Sequence, residues 1–474
     1  MIQKIVIDPG FLPALELQQL LEQYVSEYDV RLVYAKPANI YRWSENNLPS
    51  QSVSYNELEN IEQETSTCLS KKYIDSLMLS LNDYRTLLHC ERCLDSDYGR
   101  SVFLQLRKFE KLFFGAWQYL SEHKPDFLLF LASPHHPRSW AMGKVAECLG
   151  IPVLIVEFSP IPWRYRITLG MDERVPIVMC NSKEKDDSEL RNKEAKLFIR
   201  KKNQDYNSAI PHYEKVRLET RKGKYWSWKK EIISHKYRIL KLFRKKMLFN
   251  AYYDSVNFEF GKTDHYVAFF LHFQPEVTTL PEGMGFAQQW FAIRALSLAL
   301  PTDCKLVVKE HPSIFTFQTD LRYRHKSFYE DLASLPNVLL APFEADTFKL
   351  IDEAIAVSTI TGTVGVEALA RGKPVLFFGK AIYRDAPGAY CVSNVSQVSE
   401  ALNTILKVHN KKKQIEGMEV YIRGIIENSI SGLLQGEIEF DGDIDVEVRP
   451  RGHLRLIQAI LDDAVSGQLQ KQIV

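Results

Sequence analysis

The sequence predicts an α/β protein of two Rossmann-like domains facing across a cleft, with a basic helical segment between them and helices after the second. Three observations lead there. The chain has 474 residues, too many for one compact core. Short apolar runs alternate with helical patterns from Lys4 to Phe158. The same alternation restarts near residue 264, after a stretch of different composition.

In the first domain, KIVID (4–8) is a short apolar strand followed by a helical pattern through Leu17, Leu20, Leu21 and Tyr24. VRLVYAKP is a second strand. Residues 66–120 carry Leu, Phe and Tyr at three- and four-residue spacing, a helical stretch. FLLFLA (127–132) reads as a buried strand running into the polar loop SPHHPRS. A helix over about 140–149 stops at Gly150, and IPVLIVEF (151–158) follows as a strand. Parallel sheets with helices on both faces give this pattern. Residues 211–250 hold 13 Lys/Arg against three Glu, with Trp226, Trp228, Tyr237 and Phe243 interleaved. Ile232, Ile239, Phe243 and Met247 sit at helical spacing, so the segment is expected to be a basic amphipathic helix or helical pair. The second series runs through HYVAFFLHF, a helix over 284–299, CKLVVKEHP, a helix near 326–334, NVLLAP, AIAVSTI, a helix over 364–371 and KPVLFFG. The expected division is 1–180, 181–262, 263–430 and 431–474: two Rossmann-like domains, the basic connection between them, and a C-terminal hairpin and helix.

Lys and Arg (60) balance Asp and Glu (59), so no global field favours nucleic acid, and none is expected as partner. Seven scattered cysteines read as free thiols in a reducing compartment. Neither a secretory signal nor an apolar run of about 20 residues is visible, which places the expected protein in the cytoplasm. Cys90-Glu91-Arg92-Cys93 lacks a second pair, and the acidic string Asp441-Gly442-Asp443-Ile444-Asp445 reads as a solvated turn; no metal site is expected.

Ligands of open parallel sheets lie beyond the carboxyl ends of the strands. Three polar clusters fall there in the second domain: Gln274-Pro275-Glu276, Lys309-Glu310-His311-Pro312, and Ser358-Thr359-Ile360-Thr361-Gly362-Thr363. In STITGTVGVEALARGKPVLFFG, Gly362 and Gly365 allow close backbone approach, a helix start near Val364 offers N–H groups, Thr361 and Thr363 add hydroxyls, and Glu367 suits a ribose diol. An ordinary capped helix explains the same residues without a ligand. His311 suits a phosphate, and Lys309 adds a charge. In the first domain Glu157 ends its strand, either as a general base for an acceptor hydroxyl or as a carboxylate paired with Arg164 or Arg166. His135 and His136 are acceptor-contact candidates on the preceding strand exit.

The order strand-Gln-Pro, KEHP, then STITGTVGVEALARGKPVLFFG ending in Ile382-Tyr383 resembles the bacterial capsule-synthesis glycosyltransferases. These include retaining transferases for Kdo and related ulosonic acids, with a GT-B fold and CMP-sugar donors. EFSPIPWRYRITL is similar to that family's first-domain segment, an acidic residue followed by a loop and an arginine. The resemblance covers 151–166 and 264–385. It implies that Glu157 is the acid/base group, that His311 touches the donor phosphate or carboxylate, and that Ser358–Glu367 hold CMP. Gln274 and Lys309 fall with the donor; Arg164, His135 and His136 fall with the acceptor. The loop FQPEVTT leaves Glu276 as the acidic residue for the anomeric centre, and Ser159-Pro160 stands where the family has glycine. The implied partners are a nucleotide sugar and a glycan or lipid-linked glycan, with no cofactor besides the donor. The basic segment, read from its own residues, either docks on anionic lipid at the inner face of the inner membrane or is a solvated helix lying across the two domains. Alternatives are a UDP-sugar transferase or epimerase, and a non-catalytic polysaccharide-assembly protein.

Overall fold

In the computed structural model, residues 4–9, 29–34, 53–61, 70–93, 101–161, 164–177, 188–204, 236–263, 265–315, 323–324, 327–431, 457, 459–460 and 462–463 are described. The helix read at 17–24, Trp226, Trp228, Ile232 and the acidic hairpin lie outside these residues.

The chain forms two compact units: residues 1–192 with 424–474, and residues 193–423. The expected boundaries differ from this division. The connection does not stand apart, since its residues from Lys193 onward belong to unit 2. The stretch from Gly424 belongs to unit 1.

Unit 1 contains β1 (Lys4–Asp8), β2 (Asp29–Tyr34), β3 (Val53–Ser54), α1 (Tyr55–Glu59), α2 (Lys71–Asn82), α3 (Tyr84–Arg92), α4 (Val102–His123), β4 (Phe127–Phe130), α5 (Pro137–Leu149), β5 (Val153–Phe158), β6 (Arg164–Leu169) and β7 (Val175–Ile177). Its sheet runs β14-β6-β5-β4-β1-β2-β3, with β7 also on β6, where β14 is Ile430–Ser431 near the C-terminal end. Strands β1 to β5 are parallel, whereas β6, β7 and β14 add antiparallel pairs. The link between β5 and β6 is too short for a parallel crossover, so β6 must run back beside β5. Continuous apolar runs bury β1, β4 and β5 on both faces, as parallel strands covered by helices require. Phe109, Phe113, Tyr73 and Trp140 fill the core between the α4–α5 layer and the sheet.

Between the sheets come α6 (Ser188–Lys202) and α7 (Lys236–Ser255). Unit 2 continues with β8 (Tyr266–Phe270), a 3₁₀ turn (Met284–Ala287), α8 (Gln289–Ala299), β9 (Lys305–Lys309), α9 (Phe328–Ala333), β10 (Val338–Leu340), α10 (Thr347–Glu353), β11 (Ala356–Thr359), α11 (Val364–Ala370), β12 (Val375–Phe377), β13 (Ala389–Cys391), α12 (Val395–Val408) and α13 (Lys411–Glu427), whose last turn lies in unit 1. All six strands are parallel, in the order β10-β9-β8-β11-β12-β13. That order is the doubly wound Rossmann arrangement. Both units therefore have the expected α/β character.

Helix α7 departs from the expected face. Phe243 and Met247 are exposed at 60% and 49%, while Lys245, Leu248 and Tyr252 are buried. Tyr252 anchors that inner face: its hydroxyl donates to the Ala341 carbonyl, and its ring meets Tyr329 of α9 edge-on at 4.9 Å. Aromatic and aliphatic residues occupy two stripes of this helix, so spacing alone did not select the buried one. No helix among the described residues is long and apolar enough to cross a membrane.

Candidate functional site

Unit 2 builds β8, β9 and β10 outward on one side, then places β11 on the other edge of β8. The strand order thus reverses between β8 and β11, which is where a doubly wound sheet opens a crevice beyond its strand ends. The three sequence clusters leave β8, β9 and β11, which are neighbours in the sheet.

His272, just after β8, bridges the reversal. Thr361 donates its N–H to His272 Nε2 at 3.1 Å, and the Thr359 hydroxyl lies 2.9 Å from the same nitrogen. Nε2 is therefore an acceptor, and the neutral ring carries its proton on Nδ1. Burial, then the nearby His311 and Arg324, push His272 down to about 3. In unit 1, burial first and surrounding cations second push His135 to about 4 and His136 to about 2. The sign follows from linkage. These imidazoles bind a proton more readily in the unfolded chain, near 6.5, than in the fold. Their contribution to stability is whole above that value and is lost as pH falls toward the folded values. Urea unfolding at pH 5.0 against pH 7.5 should show a loss of about 2 kcal/mol per buried histidine, at about 1.4 kcal/mol per pH unit. Equal stability at the two pH values would contradict the burial of these rings.

Behind His272 lies Arg324, 3% exposed, whose five N–H donors are all used. Nε and Nη2 reach Glu310 at 2.9 and 3.1 Å; Nη2 also donates to the His272 carbonyl at 3.0 Å; Nη1 donates to Gln274 Oε1 at 3.0 Å and to the Tyr323 carbonyl at 3.1 Å. Glu310 further accepts from the Tyr329 hydroxyl at 2.6 Å and the His311 N–H at 2.7 Å. Gln289 closes the network, accepting the His272 N–H at 2.8 Å and donating to Gln274 Oε1 at 2.8 Å. The exits of β8 and β9 are clamped together before any ligand is considered.

This clamp reassigns several residues expected to face the donor. Gln274 is 1% exposed and spends its amide on Ala287, Gln289 and Arg324. Lys309 is 4% exposed and donates to the Phe343 carbonyl at 2.8 Å; burial pulls its ammonium down to about 8, against the Glu310, Glu344 and Asp346 carboxylates. Ser358 donates to the Leu376 carbonyl inside the sheet, and Thr359 is engaged with His272. Thr361 donates its hydroxyl to the Thr278 carbonyl at 2.5 Å. Glu367 meets Lys202 Nζ at 3.2 Å. Gly362 and Gly365 also answer to protein neighbours: a Cβ on Gly362 would lie 2.9 Å from Thr359 Oγ1, and one on Gly365 would lie 2.3 Å from the Tyr383 ring.

What the crevice retains is narrower. His311 is half-buried, and its Nδ1 accepts the Ser313 N–H at 3.1 Å, which leaves the proton of the neutral ring on Nε2. Thr363 is exposed, and its hydroxyl does not cap α11. The backbone N–H groups of Gly362, Thr363 and Val364 donate to no group among the described residues, whereas that of Thr361 is taken by His272. Glu276 is half-buried after β8, and the Thr278 hydroxyl lies 3.4 Å from its carboxylate.

In unit 1, Glu157 is 8% exposed near the end of β5 and opposite Arg166 in register. Its carboxylate meets Arg174 at 2.8 Å and Arg166 at 3.4 Å. The paired alternative therefore describes its surroundings, with Arg174 in place of Arg164. Arg164 is buried and donates to the Ile426 carbonyl at 3.4 Å, away from the role expected of it toward an acceptor. His135 and His136 lie together after β4, ring centroids 4.6 Å apart. His136 Nδ1 is 3.3 Å from Cys93 Sγ. The CxxC motif thus meets an imidazole, and no group of three metal-ligating side chains occurs among the described residues.

Sequence reading missed His272, Arg324 and Arg174. His272 was absorbed into an apolar strand pattern, although Gln274 and Pro275 mark the strand's end. Arg324 carries no local signal, because its partners lie up to 52 residues away.

The fold is doubly wound α/β, and three polar strand exits meet at the strand-order reversal of unit 2. Residues 292–389, from α8 to β13, match the family described as Capsule polysaccharide biosynthesis protein. No curated protein matches the sequence. Among solved structures, the chain is similar to UDP-GlcNAc 2-epimerase of Methanocaldococcus jannaschii in complex with UDP-GlcNAc and UDP, at 13% identity over 89% of this chain and 99% of that one, with a TM-score of 0.27. It is also similar to MurG of Acinetobacter baumannii, at 12% identity over 96% and 99%, with a TM-score of 0.28. Scores this low carry no inference about activity.

Proposed function

We propose that the chain is a glycosyltransferase of surface-polysaccharide synthesis, moving an acidic sugar (Kdo or a nonulosonic acid) from a CMP-activated donor to a glycan or lipid-linked glycan. The observation that carries this reading is the convergence of His311, Thr363 and three backbone N–H groups without a partner among the described residues at the strand-order reversal, inside the stretch that matches the capsule family. In the transfer the anomeric carbon–phosphate oxygen bond breaks, an acceptor oxygen bonds to that carbon, CMP leaves, and the acceptor hydroxyl gives up its proton. Negative charge grows on the leaving phosphate, where the His311 Nε2–H and the N–H groups of residues 362–364 would oppose it. Glu157 would take the acceptor proton, held in place by Arg166 and Arg174 with lone pairs to spare. Glu276 would face the anomeric centre, and His135 and His136 the acceptor.

The test is a mass-spectrometric transfer assay against a panel of activated sugars, with and without EDTA. Transfer from a CMP-sugar that survives EDTA and is lost in Glu157→Gln is the expected result. Turnover of UDP-sugars alone would replace the donor, and turnover of none would leave the assembly-protein alternative.

The exposed Phe243 and Met247, beside exposed Arg244 and Lys246 on α7, favour peripheral contact with anionic lipid. Co-sedimentation with phosphatidylglycerol vesicles but not phosphatidylcholine vesicles is expected; equal binding to both would remove that contact.

A further inference from the structure

His272 stands at the pivot of the unit 2 sheet. β8 carries β9 on one edge and β11 on the other, and His272 follows β8 by two residues, where a doubly wound sheet receives its ligand. Its main chain is tied on both sides. The N–H donates to Gln289 Oε1 at 2.8 Å, and the carbonyl accepts from Arg324 Nη2 at 3.0 Å and Gln289 Nε2 at 3.3 Å. The ring is tied at Nε2 by the Thr361 N–H and the Thr359 hydroxyl. Three of the residue's four hydrogen-bonding groups are thus spent on the protein.

Nδ1 is the fourth. It carries the proton, since Nε2 accepts, and it has no partner among the described residues. The residue is only 6% exposed, and Nδ1 belongs to the part that solvent reaches. Burial, with His311 and Arg324 nearby, keeps the imidazole neutral, so this N–H donates without bringing a charge. Gly362 lies against the same ring: a Cβ there would come within 3.3 Å of Cε1 and Nε2. The N–H groups of Gly362, Thr363 and Val364 likewise donate to nothing among the described residues. Four donors are therefore gathered on the turn after β11 and the ring packed against it. A hydroxyl brought to them would still need an acceptor for its own proton. A phosphate oxygen only accepts, and it matches a set made of donors alone.

We propose that His272 is a binding residue for the phosphate held at this reversal, its Nδ1–H joining the N–H groups of residues 362–364 while its Nε2 holds the turn that presents them. A ring fixed from both ends is oriented before the anion arrives, so little ordering is left to oppose binding. The identity of the ligand as a nucleotide rests on the reading given above; the phosphate contact rests on the four donors.

Two substitutions separate the roles of the two ring nitrogens. His272→Asn puts an amide N–H near the Nδ1 position and removes the Nε2 acceptor. His272→Gln does the reverse, keeping an acceptor for the Thr361 N–H and removing the inner donor. Calorimetric titration of the full chain with CMP and with inorganic phosphate reads their effect, with thermal melts alongside. His272→Gln should melt near the parent and bind about tenfold or more weakly, the worth of a hydrogen bond to a charged group. His272→Asn should melt lower, because the buried Thr361 loses the partner of its N–H, yet bind more tightly than His272→Gln. Should either variant fail to fold, a crystal of the parent soaked in CMP carries the test: a phosphate oxygen is expected within about 3.2 Å of Nδ1. Unchanged affinity in a folded His272→Gln, equal losses in the two folded variants, or a bound phosphate out of reach of Nδ1 would overturn the proposal. CMP binding indifferent to His272→Gln would do so while leaving the nucleotide reading intact. Phosphate binding that is lost in His272→Gln, with no binding of CMP or UDP by the parent, would uphold the contact and sink the nucleotide reading alone. No binding of CMP, UDP or phosphate by the parent would end both.

Discussion

Replacing Arg324 with methionine is expected to destabilise the protein by about 3–5 kcal/mol, because it strands a buried carboxylate. Glu310 is 1% exposed and holds Arg324 through both oxygens. The same guanidinium also satisfies the Gln274 side chain and the His272 and Tyr323 carbonyls, so its loss leaves four buried acceptor groups short of donors. The measurement is the free energy of urea unfolding, compared with the parent at pH 7.5. Adding Glu310→Gln to the methionine variant should recover part of the loss, since a neutral amide still accepts from Tyr329 and no longer buries an uncompensated charge. A single variant within about 1 kcal/mol of the parent would mean that the exits of β8 and β9 are held by something other than this network.

Gly365→Ala is the second large effect. The added Cβ would lie 2.3 Å from Cζ and Oη of Tyr383, a side chain that is 0% exposed and has no room to retreat. Overpacking of this kind costs typically about 1–3 kcal/mol. Here it would also displace the start of α11, whose N–H groups form the proposed donor contact. The Tyr383 hydroxyl has no partner among the described residues, and burial pushes its pKa well up. Tyr383→Phe alone should therefore be neutral or stabilising by about 1 kcal/mol, since it removes an unsatisfied buried group. Combined with Gly365→Ala it should restore part of the lost stability by relieving the Oη contact. Thermal melts of the three variants check this, and an unchanged melting point for Gly365→Ala would contradict the packing.

The two α/β units were legible because their strands are continuous apolar runs ended by polar loops, as at 127–130, 305–309 and 356–359. The convergence of three loops on one crevice was legible for the same reason: it follows from strand direction. Side-chain direction within those loops was not. Gln274, Lys309 and Ser358 stand at strand ends but turn into the protein, drawn by partners that lie 15, 34 and 18 residues away. Periodicity carries no information at such separations. The antiparallel β6 had a readable signal in the short 159–163 link after β5. The return of the chain to unit 1 had none, because β14 is two residues long.

Nucleotide binding by the full chain tests the central claim most directly. Isothermal titration with CMP and with UDP, on the parent and on His311→Ala, is the measurement. A CMP affinity that exceeds that for UDP and falls about tenfold or more in the variant is the predicted result. Absence of binding to either nucleotide, or an affinity indifferent to the imidazole, would contradict it.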